Sequence, residues 1–231
     1  DGMCAGVAVR YAIEPEPLDT AGAIGFAARD AGIDETFLAC NGDVLTDLDI
    51  GGLIERHRTT GAAATIALTP VDHPARYGVV PTDDNGRVLD FIEKPPAGEA
   101  PTNLVNAGTY VLEPSVLDRI PAGRPTSVER EIFPAMAADG TLFAMASDDY
   151  WVDAGTPASY LAANLHLVDH PEGGTHPEAR VDPTARVCGS VIGPGAVVAP
   201  GASVDGSLVL DGATIGENAR VEGSIIGPKA N

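Results

Sequence analysis

Phe37-Leu38-Ala39-Cys40-Asn41-Gly42-Asp43-Val44-Leu45 is the stretch from which the fold is read. Its apolar start, Phe37 to Cys40, is a short run of the kind that forms a buried strand. Asn41-Gly42 is a turn dipeptide and stops it. A helical pattern begins a few residues later. Asp43 therefore sits just past the carboxyl end of a strand, where open α/β sheets bind ligands. A carboxylate placed there can hold a divalent cation on a phosphate. It can equally be an ordinary turn residue.

Working outward, residues 6–13 read as a strand, and Cys40 reads as core packing. Pro15 and Pro17 preclude regular helix or central strand between them. From Thr20 the apolar positions Ala23, Ile24, Ala27, Ala28 and Ala31 recur at helical spacing, with Asp19 or Thr20 as a cap and Gly32 as the stop. Residues 50–60 form the next helix, with Leu53 and Ile54 inward and Gly61 closing it. Residues 63–68 form a strand ended by Thr69-Pro70. Strand, helix, strand, helix, strand is the grammar of a parallel sheet.

The pattern then changes. Residues 77–80 and 88–92 are strands around the hairpin turn Asp83-Asp84-Asn85-Gly86. Residues 104–112 form a strand that carries Asn106, an amide that needs partners if buried. Pro114 opens a short helix, Ser127 caps another, residues 142–146 form a strand, and a helix runs from Pro157 to about Val168. Residues 169–180, with Pro171, Gly173, Gly174 and Pro177, read as a linker.

From Val181 the chain repeats. Aliphatic residues fall at Val181, Val187, Ile192, Val198, Val204, Val209, Ile215, Val221 and Ile226, in steps of 6, 5 and 6 that sum to 17. Cys188-Gly189-Ser190-Val191-Ile192 recurs as Asp205-Gly206-Ser207-Leu208-Val209 and as Glu222-Gly223-Ser224-Ile225-Ile226. A face-per-step triangular coil, a parallel β-helix, explains this spacing, because stacking alone buries each coil's apolar residues. The expected divisions are residues 1–168, a linker over 169–180, and a β-helix over 181–231.

Composition narrows function. The chain carries a net charge of −19, from 33 acidic against 14 basic residues. That balance argues against nucleic acid, which needs a basic footprint, and against an anionic membrane surface. No apolar run approaches the ~20 residues of a membrane span, and no basic-then-apolar leader is visible. Three dispersed cysteines, Cys4, Cys40 and Cys188, fit a reducing compartment. A cytoplasmic location is expected.

Seven stretches, in order, carry a resemblance. They are Glu16-Pro17-Leu18-Asp19-Thr20-Ala21-Gly22, Asn41-Gly42-Asp43-Val44-Leu45, Tyr77-Gly78-Val79-Val80, Phe91-Ile92-Glu93-Lys94-Pro95, Asn106-Ala107-Gly108-Thr109-Tyr110, Ser127-Val128-Glu129-Arg130-Glu131-Ile132-Phe133-Pro134 and Tyr150-Trp151-Val152-Asp153-Ala154-Gly155-Thr156-Pro157. With them the chain resembles the sugar-1-phosphate nucleotidyltransferases that carry a C-terminal left-handed β-helix, and is most similar to the bacterial mannose-1-phosphate guanylyltransferases.

The resemblance implies a Rossmann-like mixed sheet followed by the β-helix. It implies transfer of a nucleotidyl group from a nucleoside triphosphate to a sugar 1-phosphate, with release of pyrophosphate and a Mg2+ cofactor. By the same resemblance Asp43 and Asp153 hold the metal and Lys94 binds the sugar phosphate. Glu93 and Asn106 bond sugar hydroxyls, Gly78 lets the backbone approach the sugar, and Thr20, Ala21 and Gly22 lie against the nucleobase.

GTP with mannose 1-phosphate is the expected pair. Glucose 1-phosphate with dTTP, UTP or ATP is the alternative, as is a non-catalytic regulatory relative. A β-helix acyltransferase is disfavoured because the coils contain no histidine, His176 falling in the linker. The family's glycine-rich basic loop has no match here, so truncation is expected at the N-terminus, and at the C-terminus also. Little turnover is expected of these 231 residues alone. Asp19 stands where many relatives have glycine. Homo-oligomerisation through the β-helix is a further expectation.

Overall fold

Phe37–Cys40 does form a strand, but it lies at the flank of a sheet rather than inside one. The computed structural model describes every residue except Asp1, Ala5 and 169–173. The chain divides into two compact units, Asp1–Trp151 and Val152–Asn231.

In the first unit, β1 (Gly2–Cys4) and β2 (Val7–Val9) form a short antiparallel ribbon. The strand expected over 6–13 is therefore only three residues long, and Tyr11 and Ile13 beyond it are exposed. Helix α1 (Asp19–Ala31) ends at Gly32 in the left-handed conformation. Leu18 stands at the N-cap with no side-chain bond, and Asp19 Oδ1 accepts only the adjoining Thr20 N–H, at 2.8 Å. Instead the Ala21 and Gly22 N–H groups donate to the Thr126 carbonyl at 2.9 and 3.1 Å. A distant loop thus does the work of a local cap, which no local pattern can reveal.

Strands β3 (Phe37–Cys40) and β4 (Val44–Thr46) come next, then α2 (Ile50–Thr60), capped by Asp49, which accepts the Gly52 N–H. The later strands are β5 (Ala64–Pro70), β6 (Gly78–Val79), β7 (Ile92–Glu93), β8 (Leu104–Leu112) and β9 (Leu142–Ala146). The sheet order is β7-β6-β8-β5-β9, with β3 also on β8. β3 and β5 run in the same direction, as the strand-helix-strand reading implies, but β8 is inserted between them and is antiparallel to both. Among the described residues of this sheet, only β5 and β9 pair in parallel. The sheet is mixed.

Alternation along these strands sorts the core into two layers. Ile66, Tyr110 and Leu112 face a cluster with Ala21 and Ala28 of α1 and with Phe133 and Met136 of α3 (Phe133–Ala138). Ala67 and Val111 face Leu53 of α2 on the other side. His57 of α2 is also buried. Its Nδ1 lies 2.9 Å from Thr65 Oγ1 and its Nε2 lies 2.9 Å from Glu113 Oε1. Cys40, read as core, is exposed. In β3 the alternate residues Phe37 and Ala39 turn inward, and Leu38 and Cys40 do not.

The second unit is a parallel β-solenoid whose register is the arithmetic of the sequence. Gly174–Thr175 pairs with Val191–Ile192, which pairs with Leu208–Val209, which pairs with Ile225–Ile226. Each step is 17 residues, and the other two faces keep the same offset. Ile192, Val198, Val204, Val209 and Ile215 fill the interior. Gly189, Gly206 and Gly223 turn one corner with φ of 48, 51 and 53°, a region costly for residues with a Cβ. The serine after each glycine builds a ladder. Ser207 N–H donates to Ser190 Oγ at 3.0 Å and Ser224 N–H to Ser207 Oγ at 3.1 Å, so buried corner backbone is satisfied rung to rung.

Two boundaries differ from the sequence reading. The first rung begins at Gly174, inside the stretch read as linker, while 169–173 lie outside the described residues. His176 accordingly belongs to the first coil, its N–H donating to the Ile192 carbonyl at 2.8 Å. Its ring Nδ1 accepts the Glu178 N–H, a local turn contact. Helix α4 (Pro157–His166), closed at its start by a Thr156–Ser159 capping box, falls in the second unit and packs against Leu208–Val209. Helix α4, placed within residues 1–168 by the sequence reading, thus lies in the second compact unit.

Candidate functional site

The site residues of the first unit gather where β8 is irregular. Ile66 of β5 faces Tyr110, but Leu68 faces Asn106, so β8 carries a bulge at residues 107–109. Bulges are common beside active sites because they redirect side chains. Along the opposite edge of β8, two strands meet end to end. β3 arrives with Cys40 opposite Thr109, and the Asn41 N–H continues the ladder onto the Gly108 carbonyl at 2.8 Å. β6 departs with Val79 opposite Val105, which makes Gly78 the neighbour of Asn106 by register. Gly78 in turn faces Glu93 on β7. Glu93, Gly78 and Asn106 therefore form one row across three strands, and Asn41-Gly42-Asp43 leaves the sheet at the end of that row.

Local chemistry fixes each member. Gly108 has φ of +75°, and a Cβ on it would stand 2.7 Å from Asn41 Nδ2. The glycine is what allows the Asn41 side chain to lie over the bulge. A Cβ on Gly78 would stand 2.7 Å from Phe91 Cε1 and 3.0 Å from Glu93 Oε2. In this structure the space beside Gly78 thus admits the Phe91 ring and the Glu93 carboxylate. Lys94 adopts φ of +48°, a strained conformation for a side-chain-bearing residue, and its N–H donates to the Tyr77 carbonyl at 3.1 Å. Its Nζ stands 3.4 Å from Glu93 Oε1 and is largely in solvent.

Asn106 is only partly buried, yet both ends of its amide are held. Oδ1 accepts the Gly108 N–H at 3.0 Å, and Nδ2 donates to the Tyr110 hydroxyl at 2.9 Å. Burial, with help from the Glu129 and Glu93 charges, pushes the Tyr110 phenol well above its ordinary pKa, so it stays protonated. Trp151 is half-buried and donates from Nε1 to the Ala107 carbonyl at 2.9 Å. The Tyr77 ring meets it edge-on at 5.6 Å. These aromatics wall the bulge.

Asp43 is exposed, and among the described residues its carboxylate has no hydrogen-bond or ion-pair partner. Asp153 lies in the second unit, half-buried, with Oδ1 accepting the Gly155 N–H at 2.8 Å. Among the described residues no group of three or more His, Cys, Asp and Glu side chains is arranged to hold a metal. An exposed carboxylate without a protein partner, as at Asp43, is a donor of the hard-oxygen type that divalent cations take.

Thr20, Ala21 and Gly22 are tied inward rather than left open. Thr20 Oγ1 donates to Glu129 Oε2 at 2.7 Å and accepts the Val128 N–H at 2.9 Å. Glu129 also accepts from Ser127 Oγ at 2.8 Å. This knot joins the start of α1 to a π-helical turn, Val128–Ile132. Asp19 takes φ of +60° there and pairs with Arg130 at 3.0 Å. Sequence reasoning did not find Glu129, Tyr110 or Phe91. The order Asn106-Ala107-Gly108-Thr109-Tyr110 held the only signal for Tyr110.

The model of the nucleotidyl transferase family matches residues 1–170. A mannose-1-phosphate guanylyltransferase of Mycobacterium tuberculosis is 42% identical over 170 residues, which is 73% of this chain and 46% of that relative. A mannose-1-phosphate guanylyltransferase catalytic subunit beta of Dictyostelium discoideum is 40% identical, over 68% of this chain and 43% of the relative. The chain thus spans about half the length of the curated relatives it matches. Among solved structures, a Bacillus anthracis protein provisionally described as a glucose-1-phosphate thymidylyltransferase, in complex with a sucrose, superposes with a TM-score of 0.63 at 25% identity, covering 71% of this chain and 67% of that one. HddC from Yersinia pseudotuberculosis, complexed with GMP-PN, gives 0.53 at 31% identity, covering 65% of this chain and 63% of that one.

Proposed function

The chain belongs to the nucleotidyl transferase family, and from that premise we propose that the whole protein joins GTP and mannose 1-phosphate to give GDP-mannose and pyrophosphate. The observation that carries the reading is the row Glu93–Gly78–Asn106, with Asn41-Gly42-Asp43 at its end. It gathers at one sheet irregularity the residue types that a sugar phosphate needs. The guanylyl and mannosyl identities are supported by the names of relatives about 40% identical.

In this reading a phosphate oxygen of mannose 1-phosphate attacks the α-phosphorus of GTP. The new P–O bond forms as the bond from the α-phosphorus to the β-phosphate oxygen breaks, and pyrophosphate leaves. No proton has to be taken from an ionised phosphate, so positioning and charge neutralisation carry the rate. Glu93 and Asn106 orient the mannose hydroxyls. Lys94, its backbone turned by the left-handed conformation, supplies a point charge to the sugar phosphate. Asp43 would hold Mg2+, and Asp153 is the second carboxylate that the resemblance to the family names for that ion. When bound, the ion offsets the negative charge of the two phosphate groups that must meet. A strongly acidic chain needs that neutralisation, since its own field repels both substrates.

The test is a substrate panel on the whole protein: GTP, dTTP, UTP and ATP, each against mannose 1-phosphate and glucose 1-phosphate, with pyrophosphate release as the readout. GTP with mannose 1-phosphate is expected to turn over fastest. A faster rate with glucose 1-phosphate and another triphosphate would overturn the specificity, and no release with any pair would overturn the activity.

A further inference from the structure

We propose that Tyr110 is the positioning residue of the sugar site, acting through Asn106. The inference rests on the reading of Asn106 as a sugar ligand. An amide side chain can sit in two flipped orientations, and here the backbone settles which one is present. Gly108 N–H is only a donor, so the atom that faces it at 3.0 Å must be the Asn106 oxygen. Nδ2 is then the atom 2.9 Å from the Tyr110 hydroxyl, and the hydroxyl must accept from it.

Both ends of the amide are thereby half used. One Nδ2 hydrogen and one Oδ1 lone pair are left unused by these two bonds. That pair is complementary to sugar hydroxyls, each of which can donate and accept.

Tyr110 itself cannot drift. It is 1% exposed, and its ring meets Phe133 edge-on at 5.1 Å. Phe133 in turn meets Phe91 at a tilt, with ring centroids 5.5 Å apart, and Phe91 and the Glu93 carboxylate both lie beside Gly78. One aromatic trio therefore supports both residues assigned to the sugar. The phenol stays neutral, so it offers Nδ2 a steady acceptor.

The experiment compares wild type, Tyr110→Phe, Asn106→Ala and the double variant in the whole protein, measuring KM for mannose 1-phosphate and for GTP separately. Tyr110→Phe is expected to raise the sugar-phosphate KM about three- to tenfold, the scale of one hydrogen bond, with the GTP KM unmoved. In the Asn106→Ala background it is expected to add nothing. If Asn106→Ala raises the sugar KM but Tyr110→Phe does not, or if the two effects add, Tyr110 does not act through Asn106 and the inference fails alone. If Asn106→Ala moves nothing, the sugar-site reading fails and the inference falls with it.

Side-chain amide NMR gives a second readout that does not depend on turnover. The Asn106 NH2 protons should exchange slowly in wild type and fast in Tyr110→Phe. Equal exchange in both would overturn the proposal.

Discussion

Asp43→Asn is expected to lower the rate of pyrophosphate release about a hundred- to thousandfold while leaving the fold intact. The two halves of this expectation come from the same observation. Asp43 is exposed and unpartnered among the described residues, so nothing in the folded chain depends on its charge. A surface change away from any contact shifts stability by within about 0.5 kcal/mol. Losing one carboxylate from a Mg2+ site instead removes a few kcal/mol of transition-state stabilisation, and each ~1.4 kcal/mol is tenfold in rate. The isosteric amide keeps the shape and removes the charge, so a structural explanation is closed off. Asp47, four residues on and also exposed, is the control, and Asp47→Asn should retain activity. Unchanged turnover in Asp43→Asn would remove the metal assignment.

Gly108→Ala should destabilise the first unit by about 2–3 kcal/mol, or roughly 5–10 °C in its unfolding midpoint, and should cut turnover as well. Two independent costs meet at this position. The left-handed backbone at φ +75° is unfavourable for a residue with a Cβ by about 1–2 kcal/mol. The added Cβ also collides with the Asn41 amide, whose backbone is bonded to Gly108 and cannot simply move away. Displacing Asn41 moves Asp43, two residues on, and so couples stability to rate. Gly42→Ala is the contrast. Nothing lies within 4 Å of a Cβ there. Thermal unfolding of both variants, followed by turnover at a permissive temperature, checks the pair. Equal behaviour of Gly108→Ala and Gly42→Ala would show that the bulge does not hold the turn.

The parts of the fold set by short-range rules were legible in the residues. Helix α2 runs from Ile50 to Thr60 as its periodicity and Gly61 indicate. β8 runs from Leu104 to Leu112 as its apolar content indicates. The solenoid register follows from the 17-residue recurrence, because a repeat states its own pairing. Its first rung was missed because Gly174-Thr175 lacks the aliphatic pair that later rungs carry. The insertion of β8 between β3 and β5 was not legible, since hydrophobic alternation carries no strand direction.

The same limit applied to the site. The motifs named Asp43, Glu93, Lys94 and Asn106 individually. That Gly78 faces Glu93, that Asn41 rests on Gly108, and that Thr20 is sequestered by Glu129 are facts of register and packing between distant segments. Cys40 was misread for a related reason: an apolar run predicts burial only if both faces of its strand are covered.

The most direct measurement is anomalous diffraction from crystals of the whole protein grown with GDP-mannose and Mn2+ in place of Mg2+. A metal peak is expected on the Asp43 carboxylate, with the mannose ring bonded to Glu93 and Asn106. A peak away from Asp43, or a mannose ring bound away from that row, would contradict it.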